Sequence, residues 1–120
     1  MKIKFIKLAQ KMSKLSTHSK ARIGAVIANG SREVSRGYNS IKTHTRSNTP
    51  YEDLHAEASA IVNAGFREIR GCDIYVYREN KNGEMAISKP CIYCQDLIKR
   101  SGIRRVIYTT ECGIVQEKVV

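Results

Sequence analysis

Residues 54–65 read LHAEASAIVNAG, and residues 88–96 read SKPCIYCQD. The first stretch has the apolar spacing of a helix ended by Gly65, yet its opening turn holds His55 and Glu57. The second sets Pro90, which fits the first turn of a further helix closed by Gly102, ahead of two cysteines three apart, Cys91 and Cys94. One imidazole and two thiols form a donor set suited to zinc. The two stretches therefore pose a choice between a closed structural clip and a reactive metal with a proton carrier beside it.

Three protein ligands leave the fourth tetrahedral position to water, which separates a catalytic zinc site from a structural one. Cys72, Cys112, His18 and His44 are the other residues able to fill that position. Cys72 sits at the mouth of a predicted strand and reads as a small buried hydrophobe, so Cys112 is the stronger rival. A redox-active C-x-x-C pair is a further reading that the local sequence does not decide. A lone glutamate on a helix is ordinarily a solvated surface group. Glu57 stands between Ala56 and Ala58, two residues from a candidate ligand, and so reads as the acceptor of a proton from metal-activated water.

Around these stretches the pattern is α/β. Phe5, Leu8, Ala9, Met12 and Leu15 recur at helical spacing opposite a stripe of Lys4, Lys7, Lys11 and Lys14, and Ser16 to Ser19 break the period. RIGAVIAN, the turn signal Asn29-Gly30 and EVSRGYN predict a hairpin. Residues 40–53 have no period and read as a loop, with Asp53 as the N-cap of the His55 helix and Leu54, Ala58, Ile61 and Val62 as its packing face. CDIYVYREN and RRVIYTT are strands, EMAIS pairs back across a turn at Lys81-Asn82-Gly83, and ECGIVQEKVV is open between strand and helix. Helices alternating with strands in this order predict layers of helix over a mixed sheet, with residues 1–120 as one domain.

A chain of 120 residues can bury a substantial core, so a metal is not needed merely to compensate for small size. No apolar run is long enough to cross a membrane, and the lysine-interleaved N-terminus lacks the continuous apolar stretch of a secretory signal. A cytoplasmic protein is the expectation, and in a reducing compartment the cysteines favour metal over disulfides. The net charge of +10 lies wholly in residues 1–50, where eleven Lys and Arg face the single acid Glu33. That asymmetry suits a phosphate-bearing partner, and it suits equally a solubilising helix face.

H-A-E followed at distance by P-C-x-x-C resembles the zinc-dependent cytidine and deoxycytidylate deaminase superfamily. IGAVIANGSREVSRGYN resembles the family's opening hairpin, and IKRSGIRRVIYTT the helix and strand that follow its cysteines. The resemblance covers most of residues 20–110. It implies a three-layer cytidine deaminase-like fold, a mixed five-stranded sheet flanked by helices, one zinc per chain and a homo-oligomer. By resemblance His55, Cys91 and Cys94 are the zinc ligands and Glu57 the proton shuttle. Asn39 matches a residue that binds sugar or base, Ala56 one whose amide meets the pyrimidine carbonyl, Pro90 the pocket edge, and Tyr108 an aromatic near the base. The chain departs from the family pattern in a longer Tyr77–Lys89 segment that holds an extra hairpin, and in an early stop after Tyr108.

The implied reaction is hydrolytic removal of the amine at C4 of cytosine, with deoxycytidylate (dCMP to dUMP) as the first substrate. Lys20, Arg22, Lys42, His44 and Arg46 are candidates for a 5′-phosphate. Two other readings stand. One is deamination of cytosine or adenosine in single-stranded DNA or RNA, where Tyr38, Tyr51 and Tyr93 would serve as platforms. The other is a non-catalytic nucleic-acid-binding module built on a zinc scaffold.

Overall fold

The computed structural model describes residues 2–17, 21–41, 53–65 and 67–119. The chain opens with α1 (Ile3–Ser13), then the hairpin β1 (Ala21–Asn29) and β2 (Arg32–Tyr38). Two short strands, β3 (Ser40–Ile41) and β4 (Asp53–Leu54), lead into α2 (Ala56–Ala64). Then follow β5 (Asp73–Asn80), β6 (Met85–Ala86), α3 (Ile92–Arg100), β7 (Arg105–Thr110) and β8 (Gly113–Lys118).

The main sheet runs β2-β1-β5-β7-β8, with β6 paired to β5 off this path, so the expected five strands are present with one short addition. Among the described residues β5 and β7 run parallel and the other strand pairs are antiparallel. The parallel pair requires a crossover, and α3 supplies it. Alternate residues of β5 serve the two faces. Tyr75 and Tyr77 join Phe5, Ile6 and Ala9 beneath α1, while Ile74 and Val76 join Ala56, Ala60 and Ile98 beneath α2 and α3. The result is the three-layer arrangement that the sequence pattern implies.

Several local expectations are corrected. The N-cap of α2 is His55 rather than Asp53, because the ladder Ser40↔Leu54 and Ile41↔Asp53 keeps the backbone extended to the end of β4. The same ladder gives the supposed loop 40–53 paired ends. Pro90 precedes the N-cap of α3, which is Cys91, instead of lying in the first turn. α1 stops at Ser13, whose hydroxyl turns back to the Gln10 carbonyl, so Leu15 lies beyond it and is exposed. The open tail ECGIVQEKVV forms β8, antiparallel to β7.

The packing face of α2 also differs. Ala56, Ala58, Ala60 and Ala64 are buried along with Glu57, whereas Val62 is 72% exposed. Small residues face the sheet because the helix backbone lies almost on it. A Cβ at Gly37 of β2 would stand 2.5 Å from Ala60 N and 2.8 Å from Ser59 Oγ. Ser35, on the same strand, donates to the Ala60 carbonyl at 2.7 Å. β2 thus sets the height at which α2, and with it His55 and Glu57, rides over the sheet.

Gly37→Ala should destabilise the protein by about 1–3 kcal/mol, since an added methyl must push backbone rather than a flexible side chain. Urea unfolding measures this. A midpoint unchanged from that of the parent would mean that the helix does not sit as close as its backbone contacts require.

Candidate metal and active site

His55 is the residue immediately before α2, with extended backbone at φ −74° and ψ 148°, and Ala56 and Glu57 begin the helix. Two residues apart on a continuous helix, His55 and Glu57 would diverge by roughly half a turn. The break from extended to helical backbone between them lets both side chains reach one place. At α3 the logic is similar. Cys91 is the N-cap, its sulfur accepting from Cys94 N at 3.5 Å as a serine oxygen would. C-x-x-C therefore spans N-cap to the third helical residue, and both thiols turn toward the helix start.

The two helix starts bring the donors together. His55 Nδ1 lies 3.2 Å from Cys94 Sγ and 3.7 Å from Cys91 Sγ, and the three candidate ligand atoms lie within 4.8 Å of one another. Zinc bound tetrahedrally at usual Zn–N and Zn–S lengths would set nitrogen and sulfur about 3.6 Å apart. The observed separations straddle that value, so the residues fit the ion. Cys112 does not join them: it is exposed in the turn between β7 and β8. Cys72 is buried just before β5 begins and is also outside the cluster. His18 and His44 lie outside the described residues.

The electrostatics point the same way. Glu57 is only 5% exposed, and desolvation raises its pKa from the usual 4.5, against the lowering effects of its own backbone amide and a hydrogen bond with Cys94. Cys94 is fully buried, and its thiol is pushed well up by desolvation and then by the neighbouring Glu57 and Cys91. Three potential anions packed this closely ionise together only beside a positive charge. The N-termini of α2 and α3 provide partial charge, and a divalent cation among the donors provides the rest.

The remaining expected site residues are less uniform. Ala56 is fully buried at the first position of α2. Asn39 is buried, with its side chain committed to β1: Ile23 N donates to its Oδ1 at 2.9 Å, and its Nδ2 donates to the Ala21 carbonyl at 2.8 Å. The Pro90 carbonyl accepts from Gln95 Nε2 at 2.8 Å, a contact with no sequence signal beyond the glutamine's place on α3. Tyr108 is buried, and its hydroxyl donates to Glu117 Oε1 at 2.8 Å. Pro90 and Tyr108 share a groove of about 420 Å³ with Gln95, Ile98, Val106 and Val119, and none of His55, Cys91 and Cys94 lines it. Arg22 is half-buried on β1, and Lys20, Lys42, His44 and Arg46 lie outside the described residues.

The fold and the donor set define a class, the zinc-dependent deaminases. The family described as "Cytidine and deoxycytidylate deaminase zinc-binding region" matches residues 1–110, and this chain belongs to it. A deoxycytidylate deaminase of Mycobacterium phage D29 is 26% identical over 89% of this chain and 92% of its own length. An uncharacterized deaminase in the luxG 3′ region of Aliivibrio fischeri is 32% identical over 86% of this chain and 68% of its own. Among solved structures, a cytidine deaminase from Burkholderia pseudomallei superposes with a TM-score of 0.73 at 18% identity, covering 99% of this chain and 93% of that one. The dCMP deaminase of cyanophage S-TIM5 gives 0.69 at 23% identity, covering 88% and 82%. Among the described residues no helix is long and apolar enough to cross a membrane.

The raised pKa of Glu57 carries a sign. In metal-stripped protein the folded chain keeps a proton that the unfolded chain releases above about pH 4.5, so this group's contribution to stability declines as pH rises through that region until the folded carboxyl itself ionises. Glu57→Gln should remove that part of the decline. Unfolding midpoints of both metal-free proteins between about pH 4 and pH 8 test it, and parallel curves would place the burden on another group.

Proposed function

We propose that this protein hydrolyses the C4 amine of a free cytosine nucleotide, with dCMP converted to dUMP. The observation that carries the reading is a buried carboxyl, Glu57, in hydrogen-bonding contact with one of three donors arranged for a single metal ion. Support for the nucleotide comes from the deoxycytidylate deaminase of phage D29, which aligns over nearly the full length of both chains.

His55, Cys91 and Cys94 would hold the zinc, which when bound supplies the Lewis acidity that brings the pKa of a water molecule toward about 7. Glu57 takes a proton from the attacking water and gives it to N3 of the ring. A C–O bond forms at C4, and Glu57 carries a second proton to the exocyclic nitrogen. The C4–N bond then breaks, ammonia leaves, and the uracil carbonyl remains. Desolvation serves this shuttle, because a carboxyl raised above its usual range holds a proton more readily and can return it to the substrate. The Ala56 amide, at the start of α2, would donate to the pyrimidine carbonyl.

Asn39 would meet the sugar through whatever hydrogen-bonding capacity its two β1 contacts leave, Pro90, adjacent to Cys91, would form the pocket edge, and Tyr108 would be an aromatic near the base. Arg22, with Lys20, Lys42, His44 and Arg46, supplies candidates for the 5′-phosphate. We further read the chain as one catalytic domain acting in the cytoplasm as a homo-oligomer. Single-stranded nucleic acid is the competing substrate.

Ammonia release from zinc-loaded protein, measured on cytidine, deoxycytidine, their monophosphates and a cytosine-containing single strand, tests the substrate. Turnover should be highest on dCMP and only weakly dependent on salt. Preference for the strand with a steep salt dependence would replace the nucleotide reading. Glu57→Ala should reduce the rate at least about 10²-fold while one zinc stays bound. Persisting activity would remove Glu57 from the chemistry.

A further inference from the structure

Cys91 is delivered by a segment with little regular structure of its own. After β6 ends at Ala86 there is no strand or helix until α3 begins at Ile92. What holds this segment is a buried pair of hydroxyls, Ser88 three residues before the first cysteine and Thr109 near the end of β7.

Their contacts tie together three pieces of chain. Ser88 N donates to the Thr109 carbonyl at 2.8 Å, and Thr109 N donates back to Ser88 Oγ at 2.8 Å. Ser88 Oγ lies 2.8 Å from the Val76 carbonyl of β5 and 2.9 Å from Thr109 Oγ1. Thr109 Oγ1 in turn lies 2.8 Å from the Ala86 carbonyl and accepts from Arg78 N at 3.2 Å. The parallel register of β5 and β7 runs through Val76↔Tyr108, one residue short of Thr109. Ser88 therefore bridges the two strands where their own ladder stops, its hydroxyl standing between Thr109 N and the Val76 carbonyl.

We propose that the Ser88–Thr109 pair is a positioning device for the metal site, fixing segment 87–91 to the ends of β5 and β7 and so setting where the Cys91 sulfur meets His55 and Cys94. This rests on the zinc reading of the triad. Neither hydroxyl touches substrate or metal. Their action is on a ligand three residues away, through a segment whose far end is also clasped, by the Gln95 amide on the Pro90 carbonyl. Each hydroxyl both donates and accepts: Ser88 Oγ donates to Val76 O and accepts from Thr109 N, and Thr109 Oγ1 donates to Ala86 O and accepts from Arg78 N. Loss of either group therefore leaves a buried acceptor or amide short of a partner and frees the segment to shift.

The test uses the full chain as wild type, Ser88→Ala, Thr109→Val, Thr109→Ser and Cys91→Ala. Zinc affinity is measured by competition with a chromogenic chelator, the cobalt-substituted proteins give thiolate-to-metal absorption bands, and unfolding is followed without metal. Ser88→Ala and Thr109→Val should weaken zinc binding roughly tenfold or more and alter the cobalt bands, with Thr109→Ser close to wild type. Should Ser88→Ala fail to fold, the Thr109 pair carries the comparison, since valine keeps the threonine shape and serine keeps its hydroxyl. Variants that lose metal-free stability yet bind zinc as tightly as wild type, with unchanged cobalt bands, would make the hydroxyls ordinary core contacts and overturn the proposal alone. Zinc binding untouched by Cys91→Ala would overturn the zinc reading together with it.

Discussion

Burying a carboxyl and two thiols against one another is unfavourable unless something positive lies among them. Glu57 and Cys94 are both held toward their protonated forms by desolvation; Glu57 pushes the thiol further up, while the hydrogen bond with Cys94 draws the carboxyl partly back down. Without a cation the cluster is a set of acids that cannot ionise together. With a cation among His55, Cys91 and Cys94 the thiols would ionise, and on the proposed reading Glu57 would be the acid left to exchange a proton. The same burial that looks like a stability cost in the metal-free chain is therefore what gives the carboxyl a useful proton affinity.

The scaffold serves this arrangement by aiming two helix N-termini at one point. α2 is brought down onto the sheet by Gly37 and by the Ser35 hydroxyl, and its alanine face permits that height. α3 is launched from the end of β6 by a segment that borrows hydrogen bonds from β5 and β7. Neither helix exceeds nine residues, so their positions derive from packing more than from intrinsic helical stability. A shift of one helix relative to the other would spoil donor separations that fit tetrahedral zinc to within a few tenths of an ångström.

The triad is legible in the sequence because its spacing is local: C-x-x-C at a helix start and a histidine at a second helix start each carry their geometry with them. The three layers are legible for the same reason, from the lysine stripe of α1 and the apolar runs of β1 and β5. What escapes is set by distant partners. β3 and β4 exist only through each other and displace the cap of α2 from Asp53 to His55. Val62 belongs to the packing face by hydropathy, yet the close approach at Gly37 fills that face with alanines and leaves Val62 exposed, while Ile61 packs against the core as expected. Ser88 has no pattern at all until Thr109, twenty-one residues later, is folded against it.

The charge asymmetry takes on a different meaning once it is placed on the fold. Lys4, Lys7, Lys11 and Lys14 are exposed on α1, and α1 packs on the face of the sheet opposite α2 and α3. Lys4 is further occupied by the Ser31 carbonyl and Lys14 by Glu79. The sheet and its side chains separate these lysines from the metal donors by a full layer, about 10 Å, which is also about the screening length at physiological salt. They can raise the local concentration of an anion near the protein, but they cannot hold a phosphate whose base sits against Glu57. On the proposed nucleotide reading that phosphate would fall to other cations, with Arg22 on β1 the candidate among the described residues, and the lysines of α1 are left to solubility and long-range attraction.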